Sequence, residues 1–507
     1  MKLRAIAGRQ GSRWQTAAGG WVAPLAWLPA ALAAGGWVAA LAALAWLPAA
    51  GCAAEQPRKS QKMNVLFFLA DDLRNELGCY GTKGIKTPNI DKLAAGGVRF
   101  DKAYCQVPLC NPSRTSLLTG QYPQHNGVFG NEGDFRALQP NVVTLPELFK
   151  NSGYATVFAG KIFHGGKEDM QSWNEGLIPP PVKVVPGYTG PKVYSAETSD
   201  VIGVMDDNQS HQDILSTKKT IEYLEKFKDR PFFVACGFIE PHSPFTAPQR
   251  FFDRYDPAKI ELPPDFAPRP TVPAGFPKAS LAPKNYDLFM GRDATPEEAR
   301  KMIQAYWAST TWIDSEVGEI LAALDRLGLR DKTIIVFWGD NGYHLGEKGK
   351  WSKHGSLWEP GARIPLIITA PGMPGNGKAC PRVVETLDLY RTLADLCGLP
   401  APATVDGRSL KPLLENPQLA WDHPAYTMTS PNSLAVRTEQ WRYVEYGGNE
   451  AMLIDEQNDP HETKNLADDP KCAEARAKLH GMLEMLRAMK GPTAGGAGQA
   501  GEAKAAK

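Results

Sequence analysis

Apolar runs recur along the chain and mark out its framework. Residues 65–69, 154–159, 232–235, 333–338 and 366–368 carry no charge and no strict apolar–polar alternation. Strands buried on both faces read this way. Between these runs the spacing becomes helical. Thr87-Pro88 opens and Gly96-Gly97 closes a helix over residues 87–95, because Thr caps, Pro fits a first turn and Gly stops the helix. Residues 144–152 and 214–227 read as further helices, and a longer one starts near Pro296 and runs through Trp307 toward Leu327. Strands alternating with helices predict a mostly parallel sheet covered on both faces. Residues 263–283, rich in Pro and Ala, show no clear period and read as a long surface loop beside the ligand crevice.

The pattern changes after residue 414. Short strand-like pieces appear at 434–437 and 442–446, with a final helix near 471–489. This predicts a large α/β domain over 63–414 and a smaller antiparallel α+β subdomain over 415–490. Residues 491–507, rich in Gly, Ala and Lys, read as a disordered tail.

Composition sets the outer bounds. The 507 residues hold 43% hydrophobic positions and a formal net charge of +1, an ordinary globular balance with no nucleic-acid signature. The first residues depart from it. Lys2, Arg4, Arg9 and Arg13 precede an Ala/Leu/Trp-rich run over 17–54, which reads as an export signal over 1–54. The run is longer than most signal cores, so membrane attachment stays open. It ends in Ala49-Ala50-Gly51-Cys52, similar to a lipoprotein cleavage site without the usual Leu. The expected location is periplasmic or extracellular, with lipid anchoring at Cys52 an option. Eight cysteines in this length make no disulfide scaffold. In an exported protein Cys380 and Cys397 are the expected pair, and Cys79, Cys105, Cys236 and Cys472 read as buried hydrophobes.

Two acidic pairs change the picture. Asp71-Asp72 follows the first apolar run and Asp340-Asn341 follows the run at 333–338. In open α/β sheets ligands bind beyond the carboxyl ends of the strands, so both pairs point to one crevice. Carboxylates 4 Å apart repel by about 4 kcal/mol at an effective dielectric of about 20. A divalent cation removes that repulsion, and hard oxygen ligands favour calcium or magnesium over zinc. Either pair alone reads equally as a helix cap. The segment Cys110-Asn111-Pro112-Ser113-Arg114 opens a further helix, with Pro112 in its first turn. A helix N-terminus suits an anion, and a thiol there should be partly activated. Read alone, Cys110 is a buried free cysteine at a helix start.

The Cys110–Gly120 segment, with its Leu117-Leu118-Thr119-Gly120 ending, resembles the signature of the formylglycine-dependent sulfatases. Other elements are similar to that family and in its order. They include Leu69-Ala70-Asp71-Asp72-Leu73, Thr87-Pro88-Asn89-Ile90-Asp91, Gly160-Lys161-Ile162-Phe163-His164 and the Pro241-His242 phrase. Gly339-Asp340-Asn341-Gly342, the segment 346–353 ending in Lys353, and the segment 459–466 complete the set. The Lys-x-x-His spacing and the Trp351-Ser352-Lys353 segment resemble the iduronate-2-sulfatase subgroup most, although Asn341 stands where that subgroup's pattern has His.

The resemblance implies an alkaline-phosphatase/sulfatase-like mixed sheet sandwiched by helices. It implies an enzyme hydrolysing sulfate esters of a sulfated sugar or glycosaminoglycan. Cys110 would be oxidised to formylglycine by the formylglycine-generating enzyme, and its hydrate would attack sulfur. Asp71, Asp72, Asp340, Asn341 and an oxygen of the modified Cys110 would hold calcium, ahead of magnesium. Arg114 would orient the diol, and Lys161 and Lys353 would neutralise sulfate oxygens. His164 would act as base and His242 as acid for the leaving oxygen. Taken singly, these lysines read as surface charges and these histidines as structural. His344 and His354 are candidates for substrate contact, Trp351 and Trp358 for sugar or core packing, and His125 for a structural role. Two other readings stay open: a phosphonate or phosphodiester hydrolase of the same superfamily, and a non-catalytic binder of sulfated glycans should Cys110 stay unmodified.

Overall fold

The structure is a computed structural model that describes residues 62–180, 200–207, 210–447 and 450–489. The expected export segment with Cys52 and the tail from residue 491 lie outside the described residues.

Along the chain the strands are β1 (Asn64–Ala70), β2 (Val98–Tyr104), β3 (Ala155–Gly160), β4 (Glu175–Leu177), β5 (Gly203–Met205), β6 (Phe232–Phe238) and β7 (Thr246–Pro248). They continue with β8 (Thr333–Gly339), β9 (Arg363–Thr369), β10 (Lys378–Glu385) and β11 (Ala425–Ser430). The last are β12 (Ser433–Arg437), β13 (Trp441–Tyr446) and β14 (Glu450–Asp455). An 8-stranded sheet has the order β10-β2-β9-β8-β1-β6-β3-β4. Its pairs are parallel except where β9 meets β2 and β8, so the sheet is mixed.

The apolar runs predicted β1, β3, β6, β8 and β9. Strands β2 and β10 carry Arg99, Asp101, Lys102 and Lys378, Arg382, and this polar content hid them. Both lie toward one edge of the sheet, where their polar side chains are half-buried or exposed.

Period-2 alternation sends neighbouring β1 residues to opposite layers. Val65, Phe67 and Leu69 pack with Leu117, Leu118, Phe149 and Leu389 of three helices. Leu66, Phe68 and Ala70 pack with Leu93, Leu224, Ile313 and Val317 on the other face. The predicted long helix is Pro296–Arg326, opened by a capping box between Thr295 and Glu298.

Register aligns the strand ends. Ala70 pairs with both Gly339 and Phe238, and Gly160 pairs with Gly237. The loops after β1, β3, β6 and β8 therefore leave the sheet at one level.

The chain's last part forms a 4-stranded antiparallel sheet, β11 to β14, with the helix Ala473–Arg487 on one face. Leu479 and Leu483 pack there with Leu434, Val436 and Leu453. The other face sets Ala435 and Val444 against Leu357 and Trp358.

The expected Cys380–Cys397 disulfide is not formed. Cys380 is fully buried within β10, and Cys397 lies at the end of the helix Asp388–Leu396 with its Sγ 3.9 Å from the Met63 carbonyl. Cys105 and Cys236 are buried as expected, whereas Cys79 and Cys472 are only half-buried.

Candidate active site

Asp71 and Asp72 leave β1 in a turn that places Asp72 at φ 60°. This left-handed conformation is tolerated best by Gly, Asn and Asp. Asp340 and Asn341 leave β8 beside them, and the Asp72 backbone N–H donates to Asp340 Oδ1 at 3.0 Å. Carboxylate oxygens of Asp71, Asp72 and Asp340 lie within 4.8 Å of one another, all fully buried.

Cys110 is the first residue of the helix Cys110–Thr119. Its thiol donates to Asp71 Oδ1 at 3.2 Å. One turn on, Arg114 Nε donates to Asp340 Oδ2 at 2.8 Å and its Nη2 lies 3.2 Å from Asp71 Oδ1. Arg114 Nη1 donates to the carbonyls of Lys161, Ile162 and Phe163. This one guanidinium therefore ties the acidic cluster to the loop carrying Lys161 and His164. Lys161 Nζ pairs with Asp71, and Lys353 Nζ pairs with Asp72 Oδ2 at 2.6 Å. His242 Nδ1–H donates to the Ser243 carbonyl at 2.7 Å, which leaves Nε2 facing Asp72 Oδ2 at 3.8 Å.

Charges in this dry site shift titrations strongly. Burial raises the Asp71 pKa, but the Lys161 and Arg114 charges overcome it and hold the carboxyl well below its usual value. Asp340 is pushed up to about 7 by burial and by the Asp71 charge, against the pull of Arg114. Burial lowers Lys353, and the Asp72 charge more than reverses this, so its ammonium is held well above the ordinary lysine range. Burial together with the Lys161 and Arg114 charges lowers His164 to about 4. The expected activation of the Cys110 thiol is not found. Burial and the Asp71 charge push it well above the ordinary thiol value, and both outweigh the helix N-terminus.

The donor set fits a hard divalent cation. Three carboxylates converge, and Asn341 Oδ1 is buried with no hydrogen-bond partner while its Nδ2 donates to Asp72 Oδ1 at 2.8 Å. A buried acceptor left over among carboxylates is where a cation would coordinate.

All the residues singled out from the sequence converge except some of the secondary candidates. His344 is fully buried and bonds Ser356 Oγ at 2.6 Å, away from any surface. Trp351 packs on Phe289 and Trp358 on Phe276, both fully buried, so both are core residues. His125 pairs with Asp406 at 3.1 Å, a structural contact. His354 does reach the site's edge, 3.9 Å from Asp287.

Several contributors carry no sequence signal. Ser113 Oγ donates to the Asp340 carbonyl. Asp213 accepts from the Ile239 and Glu240 N–H groups at 2.8 and 3.1 Å, and so anchors the turn that carries His242. Asp287 lies 4.0 Å from Lys353 Nζ. The loop expected over 263–283 lies largely at the surface and packs on the segment 347–358, with Asp265 pairing Lys348 and the Ser280 carbonyl accepting from Trp358. The residues just past it, around Asp287, are the ones that reach the site.

The chain is similar to known proteins. The sulfatase family profile matches residues 63–399, and that of the N-sulphoglucosamine sulphohydrolase C-terminal region matches residues 346–489. A sulfatase of Formosa agariphila is 32% identical over 465 residues, covering 86% of this chain and 89% of that protein. The iduronate 2-sulfatase of Mus musculus is 34% identical over 405 residues, covering 69% of this chain and 71% of the relative. The solved phosphonate monoester hydrolase of Agrobacterium radiobacter superposes with a TM-score of 0.69 at 23% identity, over 84% of this chain and 96% of its own. That likeness speaks for the fold, which is the alkaline-phosphatase-like one. With the family profile spanning the acidic cluster, Cys110 and Lys353 together, this chain belongs to the sulfatase family and is a sulfuric ester hydrolase.

Proposed function

We propose that the chain removes sulfate from a sulfated sugar, with iduronate-2-sulfate the nearest analogy, and that Cys110 works as formylglycine. The observation that carries this is the placement of Cys110. Its Sγ sits 3.2 Å from Asp71 in a buried cluster lined by three cations and two histidines. As a thiol it is a poor nucleophile there, since it stays protonated. The 34% identity to an iduronate 2-sulfatase supports the substrate class.

Calcium would be held by Asp71, Asp72, Asp340, Asn341 and an oxygen of the modified residue, and it would polarise the sulfate and favour the ionised nucleophile. The remaining work falls to the chain's own groups. Lys161 and Lys353 sit where they offset charge on sulfate oxygens. Arg114 fixes the loop and the carboxylates that surround residue 110. In its doubly protonated form, with Nδ1–H held by the Ser243 carbonyl, His242 presents Nε2–H to give a proton to the leaving oxygen. His164, unprotonated down to about pH 4, is placed to accept one. Export through residues 1–54 belongs to the same proposal and is checked by cell fractionation.

The first test is the mass of the peptide containing Cys110, from protein made with a formylglycine-generating enzyme. A mass matching aldehyde in place of thiol supports the proposal. Intact thiol in active protein would sink it. A panel of sulfated uronate sugars then tests the substrate, and turnover confined to other sulfated sugars would remove the iduronate assignment.

A further inference from the structure

At the edge of the cluster stands an exposed aromatic ring on fixed backbone. Tyr286 is 48% exposed, yet its neighbours are anchored. Asn285 is buried, accepts from the Trp351 N–H at 2.9 Å and donates to the Gly349 carbonyl at 3.2 Å. Leu288 is fully buried and its N–H donates to the Trp351 carbonyl at 3.4 Å. The segment is thus pinned to the strip that ends in Lys353. His354 lies beside the Tyr286 ring, centroids 6.0 Å apart, and Lys284 Nζ lies 5.6 Å from the same ring.

Asp287 connects this edge to the reacting centre. Its Oδ1 is 3.9 Å from His354 Nε2 and its Oδ2 is 4.0 Å from Lys353 Nζ. Lys353 in turn holds Asp72 at 2.6 Å. Asp287 Oδ2 is buried and has no hydrogen-bond partner. A carboxylate oxygen in that state is an acceptor awaiting a donor. From the acidic cluster toward the surface the Lys353 ammonium, the Asp287 carboxylate with its unpartnered Oδ2 and the Tyr286 ring therefore follow one another. A sugar ring matches that order: a sulfate, a hydroxyl one or two carbons along, and an apolar C–H face on the adjoining ring.

We propose that Asp287, His354 and Tyr286 form the sugar-recognising rim of the site. Asp287 accepts a hydrogen bond from a free hydroxyl of the sulfated ring, and Tyr286 stacks on the next sugar. His354 and Lys284 supply donors and positive charge for an anionic group on that second ring. The substrate is then a sulfated oligosaccharide of at least two rings. This inference rests on the sulfated-sugar reading above and adds the residues that select the sugar.

The test compares two probes on the mature, calcium-loaded enzyme: a disaccharide sulfated at the uronate 2-position, and 4-nitrophenyl sulfate, which has neither hydroxyl nor second ring. Tyr286→Ala should raise KM for the disaccharide about tenfold with kcat little changed, the pattern of lost uniform binding. Asp287→Asn should lower kcat/KM for the disaccharide at least about tenfold more than for the aryl sulfate. Equal losses on both probes, or none, overturn the rim. Should wild-type protein hydrolyse neither probe, the hydrolase reading fails separately. The rim is then read from calorimetric binding of the disaccharide to Cys110→Ser protein. About tenfold weaker binding with Tyr286→Ala added supports it, and unchanged or absent binding overturns it.

Discussion

Asp340 is held by three other residues of the cluster. Its carboxylate accepts from the Asp72 N–H and from Arg114, its carbonyl accepts from Ser113, and burial beside Asp71 raises its pKa to about 7. Asp340→Ala should lose cation affinity and activity together, by roughly 10–100-fold or more in affinity. Calorimetry with calcium checks this, and unchanged affinity removes Asp340 from the cation site. Cys110→Ser swaps a buried side chain for a slightly smaller one, so the fold should persist with a melting midpoint shifted by no more than a few degrees. Multiple turnover should vanish, because a serine ester has no second hydroxyl with which to expel sulfate. Sustained turnover by that variant would refute the aldehyde mechanism. At this scale the candidate site was largely legible. Asp71-Asp72, Cys110 with Arg114, and Asp340-Asn341 are local clusters whose chemistry shows in the chain. Ser113, Asp213 and Asp287 are single common residues, and only their neighbours in space give them a role.

Strand ends set the geometry that these side chains need. Gly160 has φ 82°, and a Cβ there would lie 1.9 Å from the Gly237 carbonyl oxygen. A Cβ on Gly237 would lie 2.1 Å from the Lys161 carbonyl oxygen. That carbonyl accepts from Arg114, so β3, β6 and the Lys161 loop approach as closely as glycine allows. Gly237→Ala should cost about 1–3 kcal/mol of stability, as overpacking does. It should also lower kcat beyond what unfolding explains, since Lys161 must move. Urea unfolding read beside kcat decides this, and a variant that matches wild type in both would show that the close approach carries no function. The buried strands were readable because both faces are apolar. Strands β2 and β10 were not, because near this end of the sheet they keep half-buried or exposed charged side chains that break the apolar run.

The 8-stranded and 4-stranded sheets are joined by a buried ion network. Arg442 on β13 is fully buried and bonds Glu456 at 2.6 Å, Glu462 at 3.1 Å and the Leu357 carbonyl at 3.1 Å, and it pairs with Glu359. Glu359 also accepts from the Tyr104 hydroxyl at 2.8 Å, which reaches back to β2. Arg442→Ala removes the central cation of these carboxylates, leaves Arg437 as a more distant partner of Glu359 and Glu456, and should cost about 3–5 kcal/mol, measured by urea unfolding. A loss under about 1 kcal/mol would show that the network is replaceable. The pH dependence follows from the direction of each shift. Burial raises Glu359, but Arg442 and Arg437 overcome it and hold it at about 2, below its ordinary 4.5. Its contribution is therefore complete above pH 4.5 and is lost as pH falls toward 2. Glu462, raised to about 8 by burial and by Glu456, acts the other way, its contribution fading as pH rises from 4.5 through 8. Acid unfolding should begin below pH 4.5, and the Glu359 part of that limb should shrink in Arg442→Ala, where Arg437 alone faces it closely. An acid limb identical in both proteins would exclude Glu359 as its source.

By itself the sequence determined the alternation of buried strands and helices, the acidic pairs at strand ends and the Cys110 helix. These are short-range patterns, written by periodicity and by neighbours in the chain. The tertiary structure alone decided the mixed sheet order and the free state of Cys380 and Cys397. It also decided the protonated Cys110 thiol, the core roles of Trp351 and Trp358, and the place of Asp287 beside Lys353. Each depends on which side chains and charges meet after the strands are ordered. Burial and Coulomb interaction act through space, and separation along the chain does not encode them.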